Sequence, residues 1–421
     1  MMLCLFEDDQ VAHLEPLVST RAVYALRLGI RTIYENSRAV FGTPALHARA
    51  QVAATTAQAF GVPVNALVAD QDVLFVNGRY VAEVGPVLDR FRRAARPGEP
   101  GRVFMQGEEV VAAYVPDADP GLLTGGILTR ASFGNLPEES VSGACLIGRL
   151  WHLLDALPVA LERDFETLAG TYNIFERPGT DIHESVRFVD GERVFIAPGA
   201  QILPGAVLNA STGPIYIDEC ATVMEQAVVR GPAYLGPHGQ IKAGANVEGS
   251  AIGPWSKVGG EVYHSILHGF SNKAHAGFLG DAYVGQWCNL GADTNNSNLK
   301  NDYGPVKLYN MNLGNFELTD RQFLGLFMGD HSKCGINTMF NTGTVVGVSC
   351  NLYGSGYQPS FVPSFLWGSP DKRYITYRLP KAMHVAERVM ARRNVLFSNV
   401  DRELLTTVFE ATESLRGGFR G

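Results

Sequence analysis

From Val223 to Val258 the chain sets a large apolar side chain at Val223, Val229, Leu235, Ile241 and Val247, every sixth residue. After one shorter step the count resumes at Ile252 and Val258. The same ruler fits upstream at Ile196, Ile202 and Leu208, and downstream at Val284 and Leu290. It returns at Met328, Cys334, Phe340, Val346 and Leu352, with Gly, Ala, Pro, Ser and Asn filling the intervals. A helix repeats at 3.6 residues and a coiled coil at seven, so neither explains a period of six. A coil of short parallel strands does, with one apolar side chain pointing inward per flat face and small residues at the corners. Three faces make one turn of about eighteen residues, the hexapeptide form of a parallel β-helix. A sandwich with regular turns is the competing reading, and so many six-residue steps weigh against it.

With 421 residues the chain is too long for one ordinary domain, and its hydrophobic content of 46% is enough to fill more than one core. A net charge of −7 argues against a nucleic-acid partner. The six cysteines lie far apart without a C-x-x-C pair, which points to reduced thiols in a cytoplasmic protein. The opening Met-Met-Leu-Cys-Leu-Phe-Glu-Asp-Asp has no basic region and reads as no signal peptide. No apolar run reaches the roughly eighteen residues of a spanning helix, so no membrane partner is expected.

Residues 1–165 carry no hexads. Strands are expected at Met2–Phe6 and Val73–Val76, and a hairpin over Val103–Val115 around Gln106-Gly107. Helices are expected from about Arg21 behind a Thr20 cap, over Ala45–Phe60, and over Ile147–Leu168. This alternation predicts an α/β, Rossmann-like layer domain. Residues 166–190 read as a connector and 191–366 as the β-helix, broken between Thr294 and Phe327 by a loop that must leave the coil. A helical tail over 367–421, with the second helix capped at Asn399 or Asp401, is expected to cover the open end of the coil.

Histidine is the residue type to search for a base, since its ordinary pKa lies near neutrality. His275 stands where the six-step count slips, in Ser271-Asn-Lys-Ala-His-Ala-Gly-Phe-Leu-Gly-Asp-Ala282. A slipped register lets a side chain point outward from a rigid coil. Glu261, fourteen residues earlier, could orient an imidazole, and Asn298 follows one to two turns on. The plainer alternative is a corner histidine bonded to backbone beside an asparagine-rich turn.

The run Lys273-Ala-His-Ala-Gly-Phe-Leu-Gly-Asp-Ala-Tyr-Val-Gly-Gln-Trp-Cys-Asn-Leu-Gly-Ala292 resembles the acetyltransferase domain of the bifunctional N-acetylglucosamine-1-phosphate uridyltransferase/glucosamine-1-phosphate acetyltransferase family. The order of parts is similar as well, with a nucleotidyltransferase-like α/β domain ahead of a left-handed β-helix. Ser-Asn-Lys-Ala-His ending at His275, Thr-Asn-Asn-Ser-Asn-Leu-Lys ending at Lys300 and Met-Gly-Asp-His-Ser-Lys-Cys-Gly-Ile-Asn-Thr ending at Thr338 resemble a divergent bacterial branch of that type. The resemblance implies a part in UDP-N-acetylglucosamine biosynthesis, acetyl-CoA as co-substrate, and magnesium for the first domain if it turns over. An amino sugar or sugar phosphate, a nucleoside triphosphate and a homotrimer are the partners it implies.

By the same resemblance His275 falls on the base that takes a proton from the sugar amine, with Glu261 on a glutamate of the family's Glu-Met-Lys-Lys segment. Asn298 falls on an asparagine that helps hold both substrates, and Asn289 on an amino-sugar contact. Ala292 and Gly354 match positions whose backbone meets acetyl-CoA, and Ile336 stands where a serine near the coenzyme is expected. The chain also departs from the family. Tyr263 stands in place of the lysine that binds the sugar phosphate, and Ala245 near the expected arginine, so a phosphosugar is the substrate only if Lys257, Lys273 or Lys300 supplies the charge. In the first domain no glycine-rich loop follows strand one, and Phe75-Val-Asn-Gly-Arg79 replaces the metal aspartate. Asp8 and Asp9 are the remaining candidates for a metal, and Arg21 or Arg27 for a phosphate, against a solvated acidic turn and a helix surface. Two other functions compete. One is a zinc site of the β-helical carbonic anhydrase kind built from His264, His268, His275 and His331. The other is a trimeric scaffold that binds nucleotide sugars without turning them over.

Overall fold

The computed structural model describes residues 2–66, 71–83, 85–96, 98–123, 126–169, 179–417 and 419. The chain divides into two compact units, one built from most of residues 1–149 and one from residues 150–421 together with 15–19 and 27–30.

The first unit is an α/β layer. Met2–Phe6 pairs in parallel with Ala45–Leu46 on one side and Val73–Asn77 on the other. The sheet continues antiparallel through Glu109–Val115 and Arg102–Gln106, the expected hairpin, to Glu138–Ser140. Cys4, Phe6, Val73, Phe75 and Val103 sink into one core, as strands covered by helices require. Two helices differ from expectation. Thr20 caps nothing of α-helical length. The helix is Ile33–Phe41, where Thr32 and Glu35 close a capping box, because Thr-x-x-Glu satisfies two orphan N–H groups at once. Ala45–Phe60 splits into strand Ala45–Leu46 and helix Ala50–Phe60, since Leu46 is worth more buried beside Leu5 than in a helical turn.

The second unit is a parallel β-helix of three sheets with eleven, six and nine strands. Every residue of the six-step series from Ile196 to Leu352 lies in one continuous core. Its first strand, Asp181–Ile182, falls inside the stretch read as connector, because Ile182 already takes an anchor position under Ile202. Residues 170–178, the middle of that connector, lie outside the described residues. The excursion after Asn295–Asn296 carries a hairpin, Lys307–Asn310 with Asn315–Leu318, and the coil resumes at Leu326–Met328.

The tail holds helices Leu379–Ala391, Asn399–Ala411 and Glu413–Gly417, the second capped by Ser398 with Asp401. The first runs along the flank of the coil instead of closing its end. Lys381 lies 3.7 Å from the ring centre of Trp367, and Arg393 lies 5.6 Å from that of Trp255, several turns back. Thirteen residues span roughly 20 Å, about four strand spacings, which matches that reach.

Candidate active site

The slip in the repeat has a definite cause. On most turns the corner between the first and second sheets has four residues, as between Ile241 and Asn246 or between Leu290 and Asn295. Between Val258 and Glu261 it has two, Gly259 and Gly260. The next corner, Ala274 to Gly277, regains four, so His275 overhangs a corner that has no side chains. A Cβ on Gly259 would lie 2.6 Å from the carbonyl oxygen of Ala274, so only glycine lets the two turns stack here. His275 is exposed, and among the described residues nothing bonds to its ring.

Beside it lies a cavity of about 780 Å³. His275, Asn289, Ala292 and Ile336 all line it. Asn289 lies between Asn272 and Lys333 on neighbouring strands, and Lys257 precedes Asn272 in the same outward row. Phe270 and Trp287 form another wall, part of a longer column of rings. His238, Trp255, Phe270, Trp287 and His331 each stand three residues after an inward anchor of the third sheet, in left-handed backbone with φ between 55° and 60°. Bulky residues rarely take that conformation. Here backbone N–H groups hold several of them to the turn below, as from Trp255 to Pro237 at 2.9 Å and from Phe270 to Pro254 at 2.7 Å. Phe270 stacks on Trp287 at 4.3 Å and His238 on Trp255 at 4.2 Å. The remaining wall comes from the tail helix through Val389, Arg392 and Arg393.

The structure separates the other expected site residues. Glu261 is exposed at the start of strand Glu261–Tyr263, and no hydrogen bond joins it to His275 among the described residues. Asn298 lies at another corner of the prism, where its Nδ2 donates to Asp281 Oδ2 at 2.6 Å. The other Asp281 oxygen is 2.7 Å from His264 Nδ1, and His264 Nε2 is 3.1 Å from the Leu154 carbonyl. Tyr263, 43% exposed, belongs to that corner; burial and then the carboxylates of Asp281 and Glu248 raise its hydroxyl pKa. Gly354 packs against Asp371 and Ser369, outside the cavity.

Lys273 needs correction. It was expected to face substrate, yet it takes the inward position beside Val258 and is 1% exposed. Its ammonium donates at 2.8 Å to the carbonyls of Gly259 and of His275. Burial pushes its pKa down to about 8, with Asp293 opposing. Lys273 thus ties down the backbone of His275 from inside the coil. In the folded state it binds fewer protons than the unfolded chain between about pH 8 and the ordinary lysine pKa near 10.4, so stability rises with pH across that window. Lys273→Met should keep or raise the melting temperature at pH 7, because an apolar side chain costs less inside a core than an ammonium. It should weaken the pH rise and lower turnover roughly 10–100-fold through a loosened His275. Thermal melts at pH 7 and pH 9.5 with turnover on the same sample check this, and unchanged turnover would remove the tether.

The histidines proposed for zinc do not meet. His268 Nδ1 is 2.9 Å from the Tyr283 hydroxyl, His264 is held by Asp281, and His331 stacks toward Trp287. Among the described residues no three His, Cys, Asp or Glu side chains stand together as metal ligands. The first unit does not fit magnesium either. Asp8 is buried and held by Arg79, whose Nε and Nη2 lie 2.8 and 2.6 Å from its two oxygens, while Asn77 Nδ2 donates at 2.7 Å. Neither a metal carboxylate nor a solvated turn describes it. Glu7 accepts from the backbone N–H groups of Val23 and Arg49, at 2.7 and 2.9 Å, which withholds those amides from a phosphate. Arg27, which belongs with the second unit, is spent there on the carbonyls of His268 and Ile30.

Sequence reasoning missed the aromatic wall, Lys333 and the arginine pair. The rings could have been found, since they keep step three places behind the anchors. Nothing in the tail's local pattern says where its helix docks.

Residues 3–172 match the sugar nucleotidyl transferase family. Over 90 residues the chain is 36% identical to the bifunctional protein GlmU of Methanocaldococcus jannaschii, covering 21% of each chain. It is 35% identical over 106 residues to that of Anaeromyxobacter dehalogenans, covering 25% of this chain and 20% of the relative. The chain therefore spans about a fifth of the length of these curated relatives. Among solved structures, UDP-N-acetylglucosamine acyltransferase from Campylobacter jejuni aligns over 58% of this chain and 84% of its own, at 13% identity and a TM-score of 0.24, too slight a likeness to bear on function. No helix among the described residues is long and apolar enough to cross a membrane.

Proposed function

We propose, for a chain that belongs to the GlmU-like bifunctional family, that its β-helix transfers an acetyl group from acetyl-CoA to the amine of an amino sugar or its phosphate or nucleotide form. The observation that carries this reading is the cavity shared by His275, Asn289, Ala292 and Ile336. The amine nitrogen attacks the thioester carbonyl, a C–N bond forms, and the tetrahedral intermediate expels CoA as thiolate. The imidazole of His275 takes the proton the nitrogen must lose, and returns it to the leaving sulfur. Asn289, with both a donor and an acceptor on its amide, would hold the sugar beside it.

The assembly is a trimer in this proposal. Ile336 is 69% exposed while lining the cavity, an apolar side chain at a rim that a second copy would cover. The His264–Asp281–Asn298 corner lies elsewhere on the prism, where a neighbouring copy could present it to the His275 cavity. In this reading any sugar nucleotide held by the first domain is held without a metal on Asp8, whose oxygens are taken by Arg79 and Asn77. CoA release from acetyl-CoA should depend on an amino acceptor when amino sugars, their 1-phosphates and their nucleotide forms are compared. A thioester left intact by every acceptor would favour the non-catalytic scaffold.

A further inference from the structure

The cavity walls hold Lys257, Lys333, Arg392 and Arg393, and among the described residues no aspartate or glutamate lines them. Two of these cations come from the outer face of the first sheet and two from just past the end of helix Leu379–Ala391. Lys333 is partly spent, donating to the His331 carbonyl at 2.8 Å. Lys257, Arg392 and Arg393 have no carboxylate partner among the described residues. The Lys257 ammonium shows the consequence: burial and then the like charges of Arg393, Lys242 and Arg392 lower its pKa, and no negative group opposes them. A helix C-terminus welcomes cations and offsets part of that repulsion for the arginines. It gives no reason for a lysine on the sheet to face them across a cavity.

Convergent cations with no carboxylate among the cavity's described lining residues, set beside an aromatic wall, make a site suited to an anion. Guanidinium forks match phosphate oxygens two at a time, and a lysine adds a point charge. We propose that Lys257, Arg392 and Arg393 form a phosphate clamp, through which the tail helix completes the cavity and holds a phosphorylated ligand against the Asn272–Asn289 row. This rests on the acyl-transfer reading for the cavity's role as a substrate site. The shared chemistry is a phosphate group, carried either by the sugar or by the nucleotide end of the coenzyme.

Calorimetry on the full chain, with circular dichroism to confirm folding, tests it. The ligands are inorganic pyrophosphate, CoA, dephospho-CoA, glucosamine 1-phosphate and glucosamine. Pyrophosphate should bind the wild type, more weakly as salt rises, and lose about tenfold or more in affinity in Arg392→Gln/Arg393→Gln and in Lys257→Gln. Arg393→Lys, which keeps the charge, should fall between. Loss for CoA but not dephospho-CoA puts the coenzyme's 3′-phosphate in the clamp, and equal loss for both puts its pyrophosphate there. Loss confined to glucosamine 1-phosphate gives the clamp to the sugar. Pyrophosphate that fails to bind, or binds all variants alike, overturns the clamp even if CoA release persists. Pyrophosphate bound as expected without CoA release keeps the clamp and sinks acyl transfer instead.

Discussion

His275→Ala is expected to lower acetyl transfer about 10²–10⁴-fold, the usual worth of a positioned general base. The imidazole overhangs the Gly259–Gly260 corner and bonds to nothing among the described residues, so its removal leaves no buried group unsatisfied and should barely change stability. Coenzyme affinity should survive, because the Ala292 backbone and the arginine pair are untouched. The loss should therefore appear in kcat with KM for acetyl-CoA preserved, the pattern of an interaction made in the transition state. CoA release under saturating acceptor measures it. A variant that keeps full rate removes His275 from the reaction and turns attention to His264, already paired with a carboxylate. Asn298→Ala should behave differently, since it strips a hydrogen bond from the buried Asp281 carboxylate and so costs stability as well.

The repeat was legible because its physics is local. A six-residue face has room for one inward side chain, so each anchor announces itself, and all of them reached the core. Lys273 defeated the same rule. Counting from Val258 across a corner two residues short puts it inside, but a lysine reads as exposed unless the carbonyls waiting for it are known. Outward residues on the faces, such as Asn289, could be placed because the anchors fix their neighbours' direction. Glu261 and Asn298 could not be paired with His275 by spacing, since a separation of fourteen or twenty-three residues does not say which corner a residue reaches. Arg392 and Arg393 depend on the docking of a whole helix against the flank, a long-range event with no local signature.

Arg79→Met is expected to be the most destabilising single change, by about 3–5 kcal/mol, the cost of leaving a buried charge without its partner. Arg79 is fully buried and bridges Asp8, 2.6 Å from Nη2, and Glu109, 2.7 Å from the same nitrogen. Asn77, at the end of the central strand, completes the cluster by donating to both Asp8 and the Val110 carbonyl. At the end of this strand a guanidinium answers the two carboxylates that a divalent cation could otherwise have held. If that substitution is structural, Asp8→Leu combined with Arg79→Met should recover much of the loss, because both charges leave together. Urea unfolding of the full chain, following the first transition to involve this domain, provides the measurement. Magnesium should not raise the midpoint of the wild type, since Asp8 has no free oxygen to offer. A midpoint raised by magnesium, or an Arg79→Met variant as stable as the parent, would instead return Asp8 to the role of a metal carboxylate.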